Sequence, residues 1–295
     1  MKNRLFLKER AGIRQALLVN RKYAMSYLKN YLSQSKGQKS EVIAYLAALD
    51  HLKEKSPTIA NSIVQELKDQ RSHLKLIASE NYSSLTTQLT MGNLLTDKYA
   101  EGYPRHRFYA GCENVDTCEE EGVKLAKEVF GADHAYLQPH SGADANLVAF
   151  WSILIHRIQN PAVEKLGKKR LDALTDEEYE TIRKACFNCK VMGMSLEAGG
   201  HLTHGYRHNV SSKMMRAVTY SIDPKTEMLD YAVLADQVKK EKPDILLAGY
   251  SAYARRINFA KMREIADSVG ATFMVDMAHF SGLVAGKVFT GEENP

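Results

Sequence analysis

From Asn114 onward, short apolar runs alternate with longer segments of helical periodicity. Strands that alternate with helices form a mainly parallel sheet whose two faces the helices cover, so this pattern leaves few other folds open. The predicted strands cover residues 191–194, 217–220, 245–248 and 272–275, with a further short strand at 135–137. The predicted helices cover residues 118–130, 143–158, 231–240 and 259–269. We therefore expect an α/β fold.

The first 75 residues differ from the rest and are predicted to be helical. Residues 41–50 combine strong helix formers with apolar residues on one face, and Pro57 is suited to the first position of a second helix. We expect residues 1–75 to form a helical arm and residues 76–295 to form the α/β domain. Lysine and arginine are frequent before residue 40, as they are in targeting peptides and nucleic-acid arms. Because charged helix faces are usually solvated, we favour a solvated helical extension over these two alternatives.

Composition limits the class of protein. With 44% hydrophobic and 25% charged residues, the chain is typical of a soluble globular protein. No run of about 18 apolar residues occurs, so we expect no membrane span. The net charge of +5 is modest for 295 residues, and we expect no nucleic-acid partner. Four cysteines are few for this length, which favours free thiols in the cytoplasm.

Asp276 is the most informative single residue, because it follows directly after the apolar run 272–275. Ligands of open α/β sheets bind outside the carboxyl ends of the strands, so Asp276 is either a buried structural acceptor or a ligand for a cation. In pyridoxal-phosphate enzymes an Asp at this place keeps the pyridine nitrogen protonated, and the ring then accepts electrons. His279, three residues later, is suited to contact the same ligand or to hold Asp276.

Ser141 and Gly142 lie where a helix is predicted to begin. Backbone N–H groups at such a turn bind phosphate, and the Ser141 hydroxyl adds a donor. Ordinary helix capping by Ser141 is the alternative.

The segment Gly199-Gly-His-Leu-Thr-His-Gly205 combines flexible backbone with two imidazoles. His201 is suited to stack on a planar ring. A zinc site formed by His201 and His204 with Cys186 and Cys189 is the alternative, but the spacing matches the usual zinc motifs poorly, and we expect no metal.

The stretch from Tyr99 to Tyr109 is aromatic, charged and interrupted by glycine and proline, as functional loops often are. Glu101 within it is a candidate for proton transfer, with an ordinary solvated acid as the alternative.

Together these segments resemble the serine hydroxymethyltransferase family. The segments that carry the resemblance, in the family's order, are Leu76-Ile-Ala-Ser-Glu-Asn-Tyr82, Asp97-Lys-Tyr-Ala-Glu-Gly-Tyr-Pro104, Gly111-Cys-Glu113, Gly199-Gly-His-Leu-Thr-His-Gly205 and Val275-Asp-Met-Ala-His279. The long amino-terminal extension and a charged surface insertion at 161–190 are similar to the chlamydial branch. The resemblance implies the large domain of a fold-type I pyridoxal-phosphate transferase, a mainly parallel sheet flanked by helices. Such an enzyme moves a one-carbon unit reversibly between serine and tetrahydrofolate, giving glycine and methylenetetrahydrofolate.

The resemblance also implies roles for individual residues. Glu101 and His279 would be catalytic. Pyridoxal phosphate would be bound by Tyr99, Ser141, Gly142, His201, Ser251, Asp276 and His279, the amino acid by Ser79 and Tyr109, and folate by Leu196, Gly200 and Leu202. Because the loop around Glu101 reaches the partner's site in this family, a homodimer is implied.

The chain departs from the family pattern in three places. Ala143 stands where many members have a second phosphate-binding serine, and Arg105-His-Arg-Phe108 replaces a glycine-bearing run with a second tyrosine. The Thr-rich segment that ends in His-Lys and the small carboxyl-terminal domain are not found, and Lys287 lacks the Thr-Thr-His context of the Schiff-base lysine. We therefore expect a truncated enzyme that is inactive alone.

Two alternatives stay open at this point. One is a noncatalytic remnant that dimerises or binds folate or pyridoxal phosphate. The other is a different fold-type I enzyme, such as an aldolase for β-hydroxy amino acids. The segment Gly199–Gly205 favours the folate enzyme over the aldolase.

Overall fold

The structure is a computed structural model that describes residues 26–34 and 37–288. The chain divides into two compact units, the first ending at Glu120 and the second starting at Glu121. The predicted boundary between arm and cofactor domain lies earlier, at residue 75, and that assignment stays a prediction. Most of the basic extension falls in residues 1–25, outside the described residues.

The first unit begins with a group of helices, as the sequence predicts. They are α1 (Tyr27–Gln34), α2 (Ser40–Lys55), α3 (Pro57–Ser72) and the short α4 (Leu85–Thr90). The side chains of Val42, Leu46 and Leu85 are buried in one small core, and Leu49 and Ala60 are buried in a second. These contacts hold α1 to α4 together.

A short hairpin follows, and it carries the loop around Glu101. Strand β1 (Gly102–Tyr103) pairs antiparallel with β2 (His106–Arg107). Pro104 and Arg105 are the two central residues of the turn, and Arg105 has a φ of 64°. A positive φ at the second central residue, after a proline at the first, is typical of a type II turn. Helix α5 (Glu113–Phe130) follows and runs across the boundary between the two units.

The second unit contains the sheet. Its strands are β3 (Lys190–Met194), β4 (Arg216–Tyr220), β5 (Ile245–Gly249) and β6 (Thr272–Asp276). All neighbouring strands are parallel, in the order β4-β3-β5-β6. The four predicted strands from 191 onward are confirmed. The strand predicted at 135–137 is wrong: this segment is irregular, it pairs with none of the described strands, and Tyr136 and Leu137 are exposed.

Helices cover both faces of the sheet, which confirms the α/β prediction. They are α6 (Gly142–Leu154), α7 (Asn160–Lys165), α8 (Asp176–Asn188), α9 (Val210–Met214), α10 (Tyr231–Glu241), α11 (Phe259–Asp267) and α12 (Ser281–Ala285). Side chains of β5 alternate between the faces. Leu246 and Ala248 are buried in a core with residues of α10 and α11, whereas Ile245 and Leu247 are buried in a core with residues of α6 and α8.

The segment 161–190 is more than the charged surface insertion that the sequence predicts. Helix α8 within it buries Ile182 and Cys186 in the same core as Phe150. Positions four apart share one face of a helix, so these two side chains face the sheet while the charged residues between them face water. Among the described residues, no helix is both long and apolar enough to cross a membrane.

Candidate active site

The candidate site lies where the strands of the second unit end. The chain passes from β3 to its neighbour β4 on one side and then to β5 on the other, so the strand order reverses between β3 and β5. Open α/β sheets bind ligands at such a reversal, outside the carboxyl ends of the strands. The loop after β3 carries His201 and His204, the loop after β5 carries Ser251, and β6 ends at Asp276.

The Asp276 carboxylate receives hydrogen bonds from three parts of the chain. His204 Nε2 lies 3.1 Å from Oδ2, and Asn146 Nδ2 donates to the same oxygen at 2.8 Å. The backbone N–H of Ala278 donates to Oδ1 at 3.2 Å. Oδ2 therefore has two protein donors, whereas Oδ1 has one long hydrogen bond and keeps acceptor capacity for a ligand.

These hydrogen bonds keep the carboxylate charged. Burial by itself raises the pKa of Asp276, but the hydrogen bonds from His204 and Asn146 outweigh burial and bring the pKa below its ordinary value. A negative charge therefore stands at the end of β6 at neutral pH. Such a charge is suited to hold a proton on a basic ring nitrogen.

His201 and His204 lie next to Asp276 and next to each other. Their rings meet edge to face, with centroids 5.7 Å apart. Burial, together with the neighbouring His204, lowers the pKa of His201, so its imidazole is neutral at pH 7. A neutral ring beside an anionic carboxylate is compatible with stacking against a planar cation.

Two further predicted residues have free hydrogen-bonding capacity at this end of the sheet. Ser141 Oγ accepts from the backbone N–H of Asp144 at 3.0 Å as the N-cap of α6, and its own hydroxyl proton stays available to a ligand. His279 Nδ1 is buried and has no hydrogen-bond partner among the described residues. A buried ring nitrogen without a partner is costly unless a ligand supplies one.

The loops after β3 and β5 are tied together by backbone contacts. The N–H groups of Ser251 and Ala252 donate to the Gly199 carbonyl at 2.8 and 3.0 Å. At Gly200 a side chain would come within 2.8 Å of the Met194 carbonyl carbon, so only glycine fits. On either side of it, Leu196 and Leu202 are exposed and offer apolar surface to a ligand.

The alternative zinc site is not assembled. Among the described residues, the potential metal ligands that gather are His201, His204 and Asp276, whose ligand atoms lie within 4.8 Å of one another. Cys186 and Cys189 are instead buried in the core between α8 and the sheet. Burial, with Asp244 and Cys186 nearby, raises the pKa of Cys189 to about 12, so a thiolate is disfavoured there.

The Glu101 loop belongs to the first unit and is held by Arg107. The Arg107 guanidinium donates through Nη1 to the carbonyls of Ala100 and Gly102 at 2.8 and 3.0 Å, on both sides of Glu101. It also pairs with Asp116 at 2.8 Å and with Glu119 at 2.6 Å. Its side chain is only 5% exposed, so the loop backbone is anchored to α5.

The predicted residues of this loop come together. Tyr109 Oη donates to Glu101 Oε2 at 3.4 Å, and the rings of Tyr99 and Tyr109 meet edge to face with centroids 5.3 Å apart. All three side chains are exposed and available to a ligand or a partner. Ser79, predicted to bind the amino acid, lies in an exposed turn of the same unit.

Sequence reasoning missed Asn146, Thr203 and the anchoring role of Arg107. Asn146 stands in an apolar helix, 130 residues from Asp276, and no local motif marks it. The sequence does contain a signal for Arg107. An acidic run that includes Asp116 and Glu119 follows it by 9 to 12 residues.

Comparisons with known proteins identify the family. The family model described as Serine hydroxymethyltransferase matches residues 52–160 and 179–292, and its gap falls within the 161–190 segment. A serine hydroxymethyltransferase of Treponema pallidum is 57% identical over 272 residues, which cover 92% of this chain and 47% of the relative. Those of Chlamydia pneumoniae and Chlamydia muridarum are 56% and 57% identical over 92% and 91% of this chain, covering 55% and 54% of the relatives.

The chain thus spans about half the length of the curated relatives it matches. The comparisons confirm the resemblance, including its chlamydial character, and do not favour the aldolase alternative. The chain belongs to the serine hydroxymethyltransferase family.

Proposed function

We propose that this chain forms the cofactor-binding part of a pyridoxal-phosphate enzyme that interconverts serine and glycine with tetrahydrofolate as the one-carbon carrier. The observation that carries the proposal is the Asp276 carboxylate, only 16% exposed, which His204 and Asn146 hold in its charged form at the end of β6. Family membership supports the choice of substrates.

The residues of the second unit fit pyridoxal phosphate. Asp276 Oδ1 has capacity to accept a hydrogen bond from the pyridine nitrogen, and the buried His279 Nδ1 lacks a partner that the phenolic oxygen would supply. The start of α6 offers backbone N–H groups and the Ser141 hydroxyl to the phosphate. When bound, the cofactor supplies an electron sink for the amino-acid α-carbon.

The other residues of the second unit would position the cofactor. Asp276 would keep a proton on the ring nitrogen, because its own pKa lies low. His201 would cover one face of the ring, and Ser251 and His279 would orient the phenolic oxygen. Gly142 would add a backbone donor to the phosphate.

Folate is assigned to the loop after β3, and the amino acid is assigned to two exposed residues of the first unit. Leu196, Gly200 and Leu202 would contact tetrahydrofolate, which the exposure of the two leucines supports. Ser79 and Tyr109 would bind the amino acid.

The Glu101 loop would act in a homodimer, where Glu101 of one copy moves a proton at the substrate hydroxyl in the site of the other. Tyr99 of the same copy would contact the partner's cofactor. The anchoring of the loop by Arg107 supports such a role, because Arg107 fixes the loop backbone on both sides of Glu101. A cytoplasmic location belongs to the same proposal, and the free cysteines support it.

The proposal is tested by titrating the purified chain with pyridoxal phosphate and following the cofactor's visible absorbance. Asp276→Asn should weaken binding about 10- to 150-fold, because a hydrogen bond to a charged group is worth about 1.5–3 kcal/mol. Asp267→Asn is the matched control, since Asp267 lies in α11 and its side chain is 55% exposed. Equal affinities of the two variants would contradict the assignment of Asp276.

Borohydride reduction of the bound cofactor and peptide mapping give a second readout. We expect Lys287 to stay unlabelled, because it lacks the sequence context of the family's cofactor lysine. Glycine formed from serine in the presence of tetrahydrofolate is measured separately, and we expect no turnover from this chain alone. A tetrahydrofolate-dependent rate would contradict that expectation, and a rate that does not depend on tetrahydrofolate would refute the proposed reaction.

A further inference from the structure

The side chain of Asn146 bridges two parts of the candidate site that the sequence does not connect. Its Nδ2 donates to Asp276 Oδ2 at 2.8 Å and to Thr203 Oγ1 at 2.7 Å. Asn146 is 6% exposed and Thr203 is 2% exposed. Both protons of one amide are therefore used, away from water, on two acceptors.

The charge of Asp276 determines how this amide is oriented. An ionised carboxylate has no proton to give, so the NH₂ end of Asn146 has to face it. The reverse orientation would place the amide oxygen against the carboxylate oxygen. With the NH₂ end facing Asp276, the second N–H points at Thr203, and the Thr203 hydroxyl becomes an acceptor from Asn146.

Thr203 in turn forms hydrogen bonds to His201. Thr203 Oγ1 lies 2.8 Å from His201 Nδ1, and the hydroxyl, which accepts from Asn146 with one of its two lone pairs, has its own proton to donate to that nitrogen. The backbone N–H of Thr203 donates to the same nitrogen at 3.2 Å. His201 Nδ1 therefore carries no proton, and the single proton of the neutral ring is on Nε2.

His204 also carries its proton on Nε2. Its Nδ1 accepts from the backbone N–H of His201 at 3.3 Å, so its proton is on Nε2, which donates to Asp276. The cluster then holds one net negative charge and two neutral imidazoles.

We propose that Asn146 is a positioning residue of the cofactor site: it aligns the Asp276 carboxylate and, by bonding Thr203 Oγ1, orients the Thr203 hydroxyl toward the His201 ring. This inference rests on the proposed function, because it assigns the ring-binding pair its geometry. Asn146 itself touches neither substrate nor cofactor.

The test uses the whole chain without cofactor, labelled with ¹⁵N-histidine, and reads the imidazole nitrogens by NMR. His201 and His204 should both appear as neutral rings protonated at Nε2. Asn146→Ala should shift the His201 Nδ1 resonance, since the Thr203 hydroxyl is then free to turn away from that nitrogen. Asn146→Leu keeps the size of the side chain but removes its donors, so it should shift the resonance in the same way.

The matched control is Asn160→Ala, at an exposed asparagine of α7, which should leave both histidine spectra unchanged. Affinity for pyridoxal phosphate should fall about tenfold or more in Asn146→Ala and Asn146→Leu, the effect of losing one hydrogen bond to a charged group. Should the Asn146 variants fail to fold, Thr203→Val breaks the same chain one link away and should give the same change in His201.

The two proposals fail in different ways. An unchanged His201 spectrum in Asn146→Leu, or a His201 ring protonated at Nδ1 in the unsubstituted chain, would overturn the role of Asn146 even if the cofactor binds. The expected histidine spectra together with no measurable affinity for pyridoxal phosphate would instead refute the proposed function and leave the proton arrangement in place.

Discussion

Replacement of Gly249 by alanine tests how closely the two strands that form the site must approach. Gly249 is the last residue of β5 and pairs directly with Asp276 in β6. Its φ of +112° is one that residues with a side chain rarely adopt. A Cβ at this position would lie 2.9 Å from the Asp276 carbonyl carbon and 3.1 Å from its nitrogen. All of these atoms are backbone, so no flexible side chain can yield.

The expected cost has two parts. An unfavourable backbone conformation costs about 1–3 kcal/mol, and overpacking against a rigid neighbour costs about 1–3 kcal/mol more. Gly249→Ala should therefore lower the free energy of unfolding by about 2–6 kcal/mol, a large part of the roughly 5–15 kcal/mol that a native domain has. Because relief requires β6 to move away from β5 at Asp276, affinity for pyridoxal phosphate should fall as well.

Gly270→Ala is the matched control. Gly270 stands near the other end of β6 with a φ of +69°, and a Cβ there meets no atom within 4 Å. Gly270→Ala should then lower the free energy of unfolding only by the cost of the left-handed backbone conformation, about 1–2 kcal/mol. The chain has a single tryptophan, Trp151 in α6, so its fluorescence in a urea titration reports on the second unit. A loss of stability in Gly249→Ala no larger than in Gly270→Ala would refute the reasoning.

Three further predictions concern charge and exposure. Arg107→Lys should loosen the Glu101 loop and speed its cleavage in limited proteolysis, because lysine cannot reach two carbonyls and two carboxylates at once, whereas Arg105→Lys at the exposed turn should not. Because the folded-state pKa of Asp276 lies below the ordinary value of about 3.9, its charge stabilises the fold above that pH, and this contribution is lost as the pH falls through the folded pKa. The stability difference between the chain and Asp276→Asn should therefore shrink on acidification below about pH 4, and a difference that grows would contradict the sign. A thiol reagent should label the exposed Cys118 first and the buried Cys189 last, which peptide mapping after brief exposure would show.

The strands and the place of the candidate site could be predicted because their signals are local. Each buried strand of a parallel sheet is a short apolar run, and the sequence shows four of them where β3 to β6 lie. Asp276 was found as the polar residue at the end of one of these runs. The irregular segment at 135–137 has a similar apolar run, but no described strand pairs with it, and pairing cannot be read from one segment alone.

The partners within the site could not be predicted, because they depend on distant contacts. Asn146 meets Thr203 across 57 residues and Asp276 across 130. Nothing in an apolar helix distinguishes such an asparagine from one that faces water. The insertion shows the same limit, since only the contact of Ile182 and Cys186 with the core reveals that α8 covers the sheet.

The two halves of the proposed active site are each held by contacts within their own unit. The Glu101 loop is anchored by Arg107, which bonds residues that all lie before Glu120. Asp276 receives its hydrogen bonds from Asn146, His204 and Ala278, all after Glu121. The order of the loop and the charge of the carboxylate are therefore energetically separable. Arg107→Lys should speed cleavage of the loop by a protease while the affinity of the Asp276 site for pyridoxal phosphate stays the same, and a fall in that affinity would refute the separation.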